Sequence, residues 1–532
     1  MIDPLARRAM LQKVAMLTTI GTLGASVQPA AASGTGTGGT AKGASPVDHG
    51  ADPTGRRDAT EALQRWLAQG GELVLPAGSR FAVSDTITVR QANTRISGRG
   101  SLVARAGALV NKTLLAVEAD DCIIDGIYLE NPDRIGVGEG LQSFGIELFG
   151  HRNRVLNCTV LDFQMCVGVA PTGEFYDNVF AFNHCRVLGA GRFGEGKGED
   201  RGDGIADFGA RTRIIGNMIE AASGRNGVPN DCRIGIDVER LPGYERDATG
   251  VDNNAASEII GNMVIPSPDG TGRFRRCYSI EGISHCRVIG NYGRGWTWDG
   301  LWLVGSSDHS IVSGNTFRQD LVGHSRAGAE WQPDRAAILI YATGGVTLRD
   351  VLVSGNMVDM SSGDFNGIQV RSAGGHVSGV VISDNVCTIT RSAGKAAPCG
   401  LLVTDARDVQ LIGNRIDGPW QHGVRIQDCP DAEVAMCRVS GAKGFALSVQ
   451  GASVRLGQNS ISSCEGGIES AGNSEYLIDG NHLKGVRGFG LSLVDGGSGI
   501  VSGNIVRGAP LRVLKLGNTS GARFVGNIGL AE

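Results

Sequence analysis

The chain of 532 residues has twelve cysteines but no C-x-x-C pair. That spacing is the usual mark of a zinc knuckle or a dithiol redox site, so neither is expected. Proline is scarce, at 16 residues, which excludes a collagen-like repeat. No apolar run reaches the ~20 residues that a transmembrane helix needs. The formal charges nearly cancel, leaving −4. That balance gives no reason to expect nucleic acid or an anionic membrane as a partner, and no membrane insertion is expected. Aromatic residues make up only 5% of the chain. They are unevenly spread, because three of six tryptophans fall in WTWDGLW, Trp296 to Trp302.

Glycine, in contrast, reaches 82 residues, well above the usual share of about 7%. The chain is too long for one ordinary compact core. A repeat architecture escapes that limit by growing along one axis.

Residues 1–32 read as a targeting segment. They carry Arg7, Arg8 and Lys13 ahead of a mildly apolar stretch, Val14 to Val27, and an A-x-A site ends at Ala32. The paired arginines resemble the twin-arginine export signal of bacteria, which implies a periplasmic or secreted protein. Residues 33–46, SGTGTGGTAKGASP, read as a flexible linker.

The next stretch, Val47 to Val89, contains GADPTGRRDATEALQRWL, then GGELVLPAG, then TITV. Asp58 and Glu61 suggest a capping box for a helix over 59–68. Glu72–Leu75 and Phe81–Val89 read as strands around a Pro76–Gly78 turn. This segment resembles the N-terminal segment of the pectate-lyase and polygalacturonase-like superfamily of right-handed parallel β-helices. The resemblance implies an all-β, single-stranded right-handed parallel β-helix whose open end is covered by a short N-terminal capping helix. It does not choose a reaction, since that superfamily holds lyases, hydrolases, epimerases and phage tailspikes. On this reading, 47–110 form the cap and first coils, and 111–532 the β-helix.

The rest of the chain supports the fold independently. IIGNMI at 214 recurs as IIGNMV at 259, VSGNTF at 312, VSGNMV at 353, LIGNRI at 411 and VSGNIV at 501. The repeat marks one rung per coil, read at Gly126, Cys158, Cys185, Asn217, Asn262, Asn291, Asn315, Asn356, Asn385, Asn414, Cys437, Asn459, Asn481, Asn504 and Asn527. Asparagine suits such a turn because its amide can bond to the coils above and below. Cys158, Cys185 and Cys437 then read as small buried turn residues rather than disulfide partners. About 14 residues before each rung stands G-[IVL]-x-[IVL], as in GIEL at 145, GIDV at 235, GLWL at 300 and GIQV at 367. Its alternation is that of a half-buried strand, with the residue after glycine pointing inward and the next outward.

That register places outward groups coil by coil. Asp203, Arg276, Asp299 and Asn366 precede the glycine position; Asp237, Trp302 and Gln369 follow it. Asp207, Glu239, Glu281, Tyr341 and Arg371 lie farther along the same strands. Ionisable and aromatic groups thus concentrate between residues 203 and 371. The longest intervals between rungs fall there too, and Trp331 lies in one of the insertions. Aromatic faces with carboxylates and amides suit a sugar ring and its hydroxyls. Cleaving a glycosidic bond by hydrolysis takes two carboxyl groups roughly 5 to 9.5 Å apart. Asp203, Asp237 and Asp299 are therefore the first candidates for acid and base, with Glu239 and Glu281 in reserve. Trp298, Trp302, Trp331, Arg276, Asn366, Gln369 and Tyr341 are candidates for holding a polysaccharide. A lyase would instead need a base and a group to neutralise a uronate, for which Arg276, Arg240, His285 or Ca²⁺ could serve; no cofactor is otherwise expected. Alternatively the chain is a non-catalytic glycan-binding or envelope repeat protein. The sequence leaves monomer and homotrimer both open.

Overall fold

The computed structural model describes residues 44–105, 111–132, 134, 143–173, 175–189, 202–240, 256–320, 335–361, 365–390, 398–472, 474–494, 497–508, 512–516 and 521–529. The export segment and most of the linker lie outside them, as does Trp331.

Each coil lays down three strands, and each strand pairs in parallel with its counterpart in the next coil. One coil runs Asp299–Val304, Ile311–Ser313 and Thr316–Gln319. Among the described residues the first of these sheets has 16 strands, from Ile87–Val89 to Arg512–Leu516. The three sheets enclose one continuous apolar core; in this coil Leu301, Leu303, Val312 and Phe317 are all fully buried within it.

The helix forms at Thr60–Leu67, and its buried face is Ala62, Leu63, Trp66 and Leu67. Trp66 Nε1 donates to the Ala44 carbonyl at 2.8 Å, tying the end of the expected linker to the cap. The capping box does not form. Asp58 instead accepts the Thr60 N–H and hydroxyl, while Glu61 points outward beside Arg65. The single strand expected over Phe81–Val89 is two, Arg80–Val83 and Ile87–Val89, in different sheets. The chain must turn a corner of the coil between them, and polar Ser84 and Asp85 occupy that bend.

The asparagine ladder is present. Each side-chain Oδ1 accepts both the backbone and the side-chain N–H of the preceding rung, as Asn262 does from Asn217 at 2.9 Å each. Each Nδ2 also reaches a carbonyl of the coil before, as Asn217 does to Phe180. The preceding glycines, such as Gly216 and Gly261, hold φ of +63° and +64°, the left-handed turn that glycine tolerates best. Two rungs were misplaced from sequence. Cys158 bonds to Asn183, not Cys185, and strand pairing sets Cys185 two residues on, in the core beside Val160 and Ile219. Likewise Ile127, not Gly126, stands opposite Cys158, because Asp125 pairs with Leu156. The motif there has drifted from G-N, so spacing alone could not fix it. All twelve cysteines are buried free thiols, in agreement with a structural role.

The glycine of G-[IVL]-x-[IVL] sits where the first sheet bends. A Cβ at Gly300 would stand 2.7 Å from the Phe317 ring and 2.5 Å from the Ala337 carbonyl oxygen. The glycine and its successor therefore both face the core. The residue before the glycine and the second after it both face outward.

Candidate functional site

Four consecutive strands of the first sheet carry the densest chemistry: Asp203–Asp207, Asn230–Glu239, Gly272–Glu281 and Asp299–Val304. Their register forms outward columns. Asp203, Ile234, Arg276 and Asp299 make one, and Ala206, Asp237, Ser279 and Trp302 the next. Glu239, Glu281, Val304 and Tyr341 make a third. The predicted neighbours are thus brought together, with Asp203 and Asp237 on adjacent strands and Asp299 two strands beyond Asp237.

Arg233, which the motif search missed, organises the carboxylates. Its Nε donates to Asp203 Oδ1 at 2.9 Å, and its Nη2 to Asp203 Oδ2 at 2.7 Å. The same Nη2 donates to Asp237 Oδ2 at 2.6 Å. These contacts put the two Oδ2 atoms no farther apart than about 5.3 Å, closer than the carboxyls of an inverting glycosidase. Asp237 Oδ1 is buried with no hydrogen-bond partner among the described residues. Burial pushes the Asp237 carboxyl well above the usual carboxylate range; Arg233 opposes this, while Asp203, Glu281 and Glu239 reinforce it. Burial thus shifts Asp237 toward its protonated form, the form in which a carboxyl can give a proton. Ser279 donates to Glu281 at 2.7 Å, which keeps that third carboxylate beside the group.

Two strands along, Asp299 accepts from Arg276 Nε at 3.1 Å and from the Ala336 N–H at 3.2 Å. Burial raises its pKa too, against the pull of Arg276. The Arg276 guanidinium lies 3.5 Å from the Trp302 ring centroid. Arg275 lies 3.7 Å and Arg335 5.0 Å from that of Trp298. Trp298 and Trp302 are both half-buried on the outer surface. Trp296 instead is fully buried, edge-on to Phe317 and Phe365. The aromatic-rich stretch is thus divided between core and surface, with Trp296 inside and Trp298 and Trp302 outside.

Other candidates fare differently. Asn366 and Gln369 are buried and bond to each other at 3.0 Å, and Asn366 Oδ1 accepts the Cys399 N–H at 2.9 Å. Tyr341 is half-buried, with Arg371 at 6.0 Å from its ring. Asp207 was expected on the outer face, but it pairs with Val238 and points into the core. It sits one position short of Glu239 in register, three residues after its glycine where Glu239 is four after its own. His285 lies on the turn after Glu281, stacked on His309 at 4.9 Å, not beside Arg276. Among the described residues no group of three or more His, Cys, Asp and Glu side chains is arranged to hold a metal ion.

A family model described as "Right handed beta helix region" matches residues 399–528. Solved structures with a similar trace include PfbA, a surface adhesin of Streptococcus pneumoniae, at 12% identity and a TM-score of 0.42 over 81% of this chain and 93% of that one. DFA-IIIase from Arthrobacter chlorophenolicus A6 aligns at 12% identity and a TM-score of 0.45, over 70% of this chain and 94% of that one. The A-module of the Azotobacter vinelandii mannuronan C-5 epimerase AlgE6 aligns at 12% identity and a TM-score of 0.34, over 92% and 99%. A search of the curated proteins finds no match. The described strands form a right-handed parallel β-helix. Among its described residues no helix is long and apolar enough to cross a membrane.

Proposed function

We propose that the chain cleaves a polysaccharide by hydrolysis on the outer face of the first sheet, with Asp237 as the proton donor. The observation that carries this reading is the Asp237 carboxyl itself. It is buried, with one oxygen unpartnered and its pKa pushed upward by burial, and it shares Arg233 with Asp203. A buried acid paired with a second carboxylate is what protonation of a glycosidic oxygen needs. Trp298 and Trp302 supply partly exposed ring surface two coils away, about 10 Å along the sheet, the distance of roughly two sugar units. Elimination is less well served. Arg276 is engaged by Asp299, and His285 is on a different turn.

Asp237→Asn tests the reading. It should lower release of reducing ends from a polysaccharide panel by at least ~100-fold, the usual contribution of a general acid, with the folded state intact. Products that absorb as unsaturated uronates would assign elimination instead. A second reading, glycan binding without turnover, is favoured by the way Arg233 satisfies Asp203 and one Asp237 oxygen. Retention on immobilised polysaccharide with no new reducing ends would select it.

A further inference from the structure

Resting on the hydrolytic reading of this site, we infer that cleavage proceeds with retention of anomeric configuration, Asp203 being the nucleophile and Arg233 the residue that positions it. The separation of the two carboxyls decides the stereochemistry. An inverting enzyme leaves room for a water between its carboxyls, at roughly 6.5 to 9.5 Å, whereas a retaining one holds them at about 5 to 5.5 Å. Here one nitrogen touches both, at 2.7 Å from Asp203 Oδ2 and 2.6 Å from Asp237 Oδ2. The upper limit on their spacing lies below the inverting range, and the guanidinium nitrogen that touches both oxygens leaves no room for a water between them.

The roles divide by environment. Asp203 reaches the surface more than Asp237, with 12% of its side chain exposed against 1%. It receives the two-pronged arginine contact that suits a carboxylate anion. Asp237 is the member held toward its protonated form, because it is deeper and faces Asp203, Glu281 and Glu239. In the first step an Asp203 oxygen bonds to the anomeric carbon. The glycosidic C–O bond breaks, and its oxygen leaves with the Asp237 proton. In the second, water attacks the same carbon, its proton passes to the Asp237 carboxylate, and the Asp203 ester bond breaks. Atoms and charges balance with water as the only co-reactant. Arg233 must release one carboxylate oxygen for the sugar to enter, while its remaining contacts keep Asp203 aimed.

The test uses the full chain and the polysaccharide that the panel identifies. Proton NMR of the first product should show the anomer of the substrate linkage. Incubation with the matching 2,4-dinitrophenyl 2-deoxy-2-fluoroglycoside should add one sugar mass, mapping to the peptide that contains Asp203. Arg233→Lys should keep the retained anomer but shift the acid limb of the pH–kcat profile, a change that a merely structural arginine would not cause. An inverted first product, or a label on another carboxylate, overturns the inference while leaving hydrolysis standing. Absence of new reducing ends from every polysaccharide overturns the hydrolytic reading on which it rests.

Discussion

Single residues set the charge states that matter. Asp237 and Asp207 are both buried acids, but only one faces outward. Asp207 accepts from the Gly209 N–H at 3.0 Å and the Thr212 hydroxyl at 3.1 Å, while its Oδ2 has no hydrogen-bond partner among the described residues. Burial outweighs these bonds and raises its pKa to about 6. A carboxyl whose folded pKa lies above its unfolded value favours folding fully below the unfolded value, near 4, and that contribution is lost as pH rises through about 6. The cost above pH 6 is about 3 kcal/mol, from a shift of about two units. Asp207→Asn should therefore flatten the fall in urea stability between pH 4 and 8. Parallel pH profiles for variant and parent would refute the assignment. The thiols make a companion prediction. All twelve are buried, and burial raises Cys158, Cys277, Cys286, Cys387 and Cys399 to about 12 or beyond. A thiol-specific reagent at neutral pH should find almost none in the folded protein and twelve in denaturant. Fast reaction of several in the native state would contradict the core placement.

At the level of the coil, the asparagine rung is the repeating unit of polar satisfaction. Its run from Asn183 to Asn527 is broken only at Cys437. There the Sγ donates weakly to the Leu411 carbonyl at 3.4 Å, and Asn414 has only that sulfur ahead of it, at 3.9 Å. Cys437→Asn should restore the missing bonds and stabilise the chain by about 1 kcal/mol in chemical denaturation. Asn315→Ala removes an interior rung and should cost about 2 to 4 kcal/mol, since its partners on both sides stay buried. A gain from the second or a loss from the first would mean that the ladder is not what holds the turns. This element also shows what sequence can and cannot convey. The coil period and the outward columns were legible because glycine, asparagine and alternating aliphatics recur at fixed offsets. The first coils were not, because Ile127 and Asn183 stand outside the G-N pair. Asp203, Asp237 and Asp299 could be read as outward acids from that register. Arg233 could not, because its role depends on a guanidinium reaching across to the neighbouring strand.

Across the molecule, the first sheet is chemically polarised. Charged and aromatic groups gather on four strands between Asp203 and Val304, whereas later coils present a sparser column of Arg425, Ser448, Glu469 and Ser492. The uniform ladder supports this face as a rigid platform, so groups one strand apart keep a fixed spacing. That rigidity is what makes a single carboxyl pair decisive. The most direct measurement is reducing-end release from the polysaccharide panel by the parent chain, Asp237→Asn and Asp203→Asn, each checked for unchanged far-ultraviolet circular dichroism. Hydrolysis at this site predicts turnover by the parent and a loss of at least ~100-fold in both folded variants. Full turnover by either variant would contradict it.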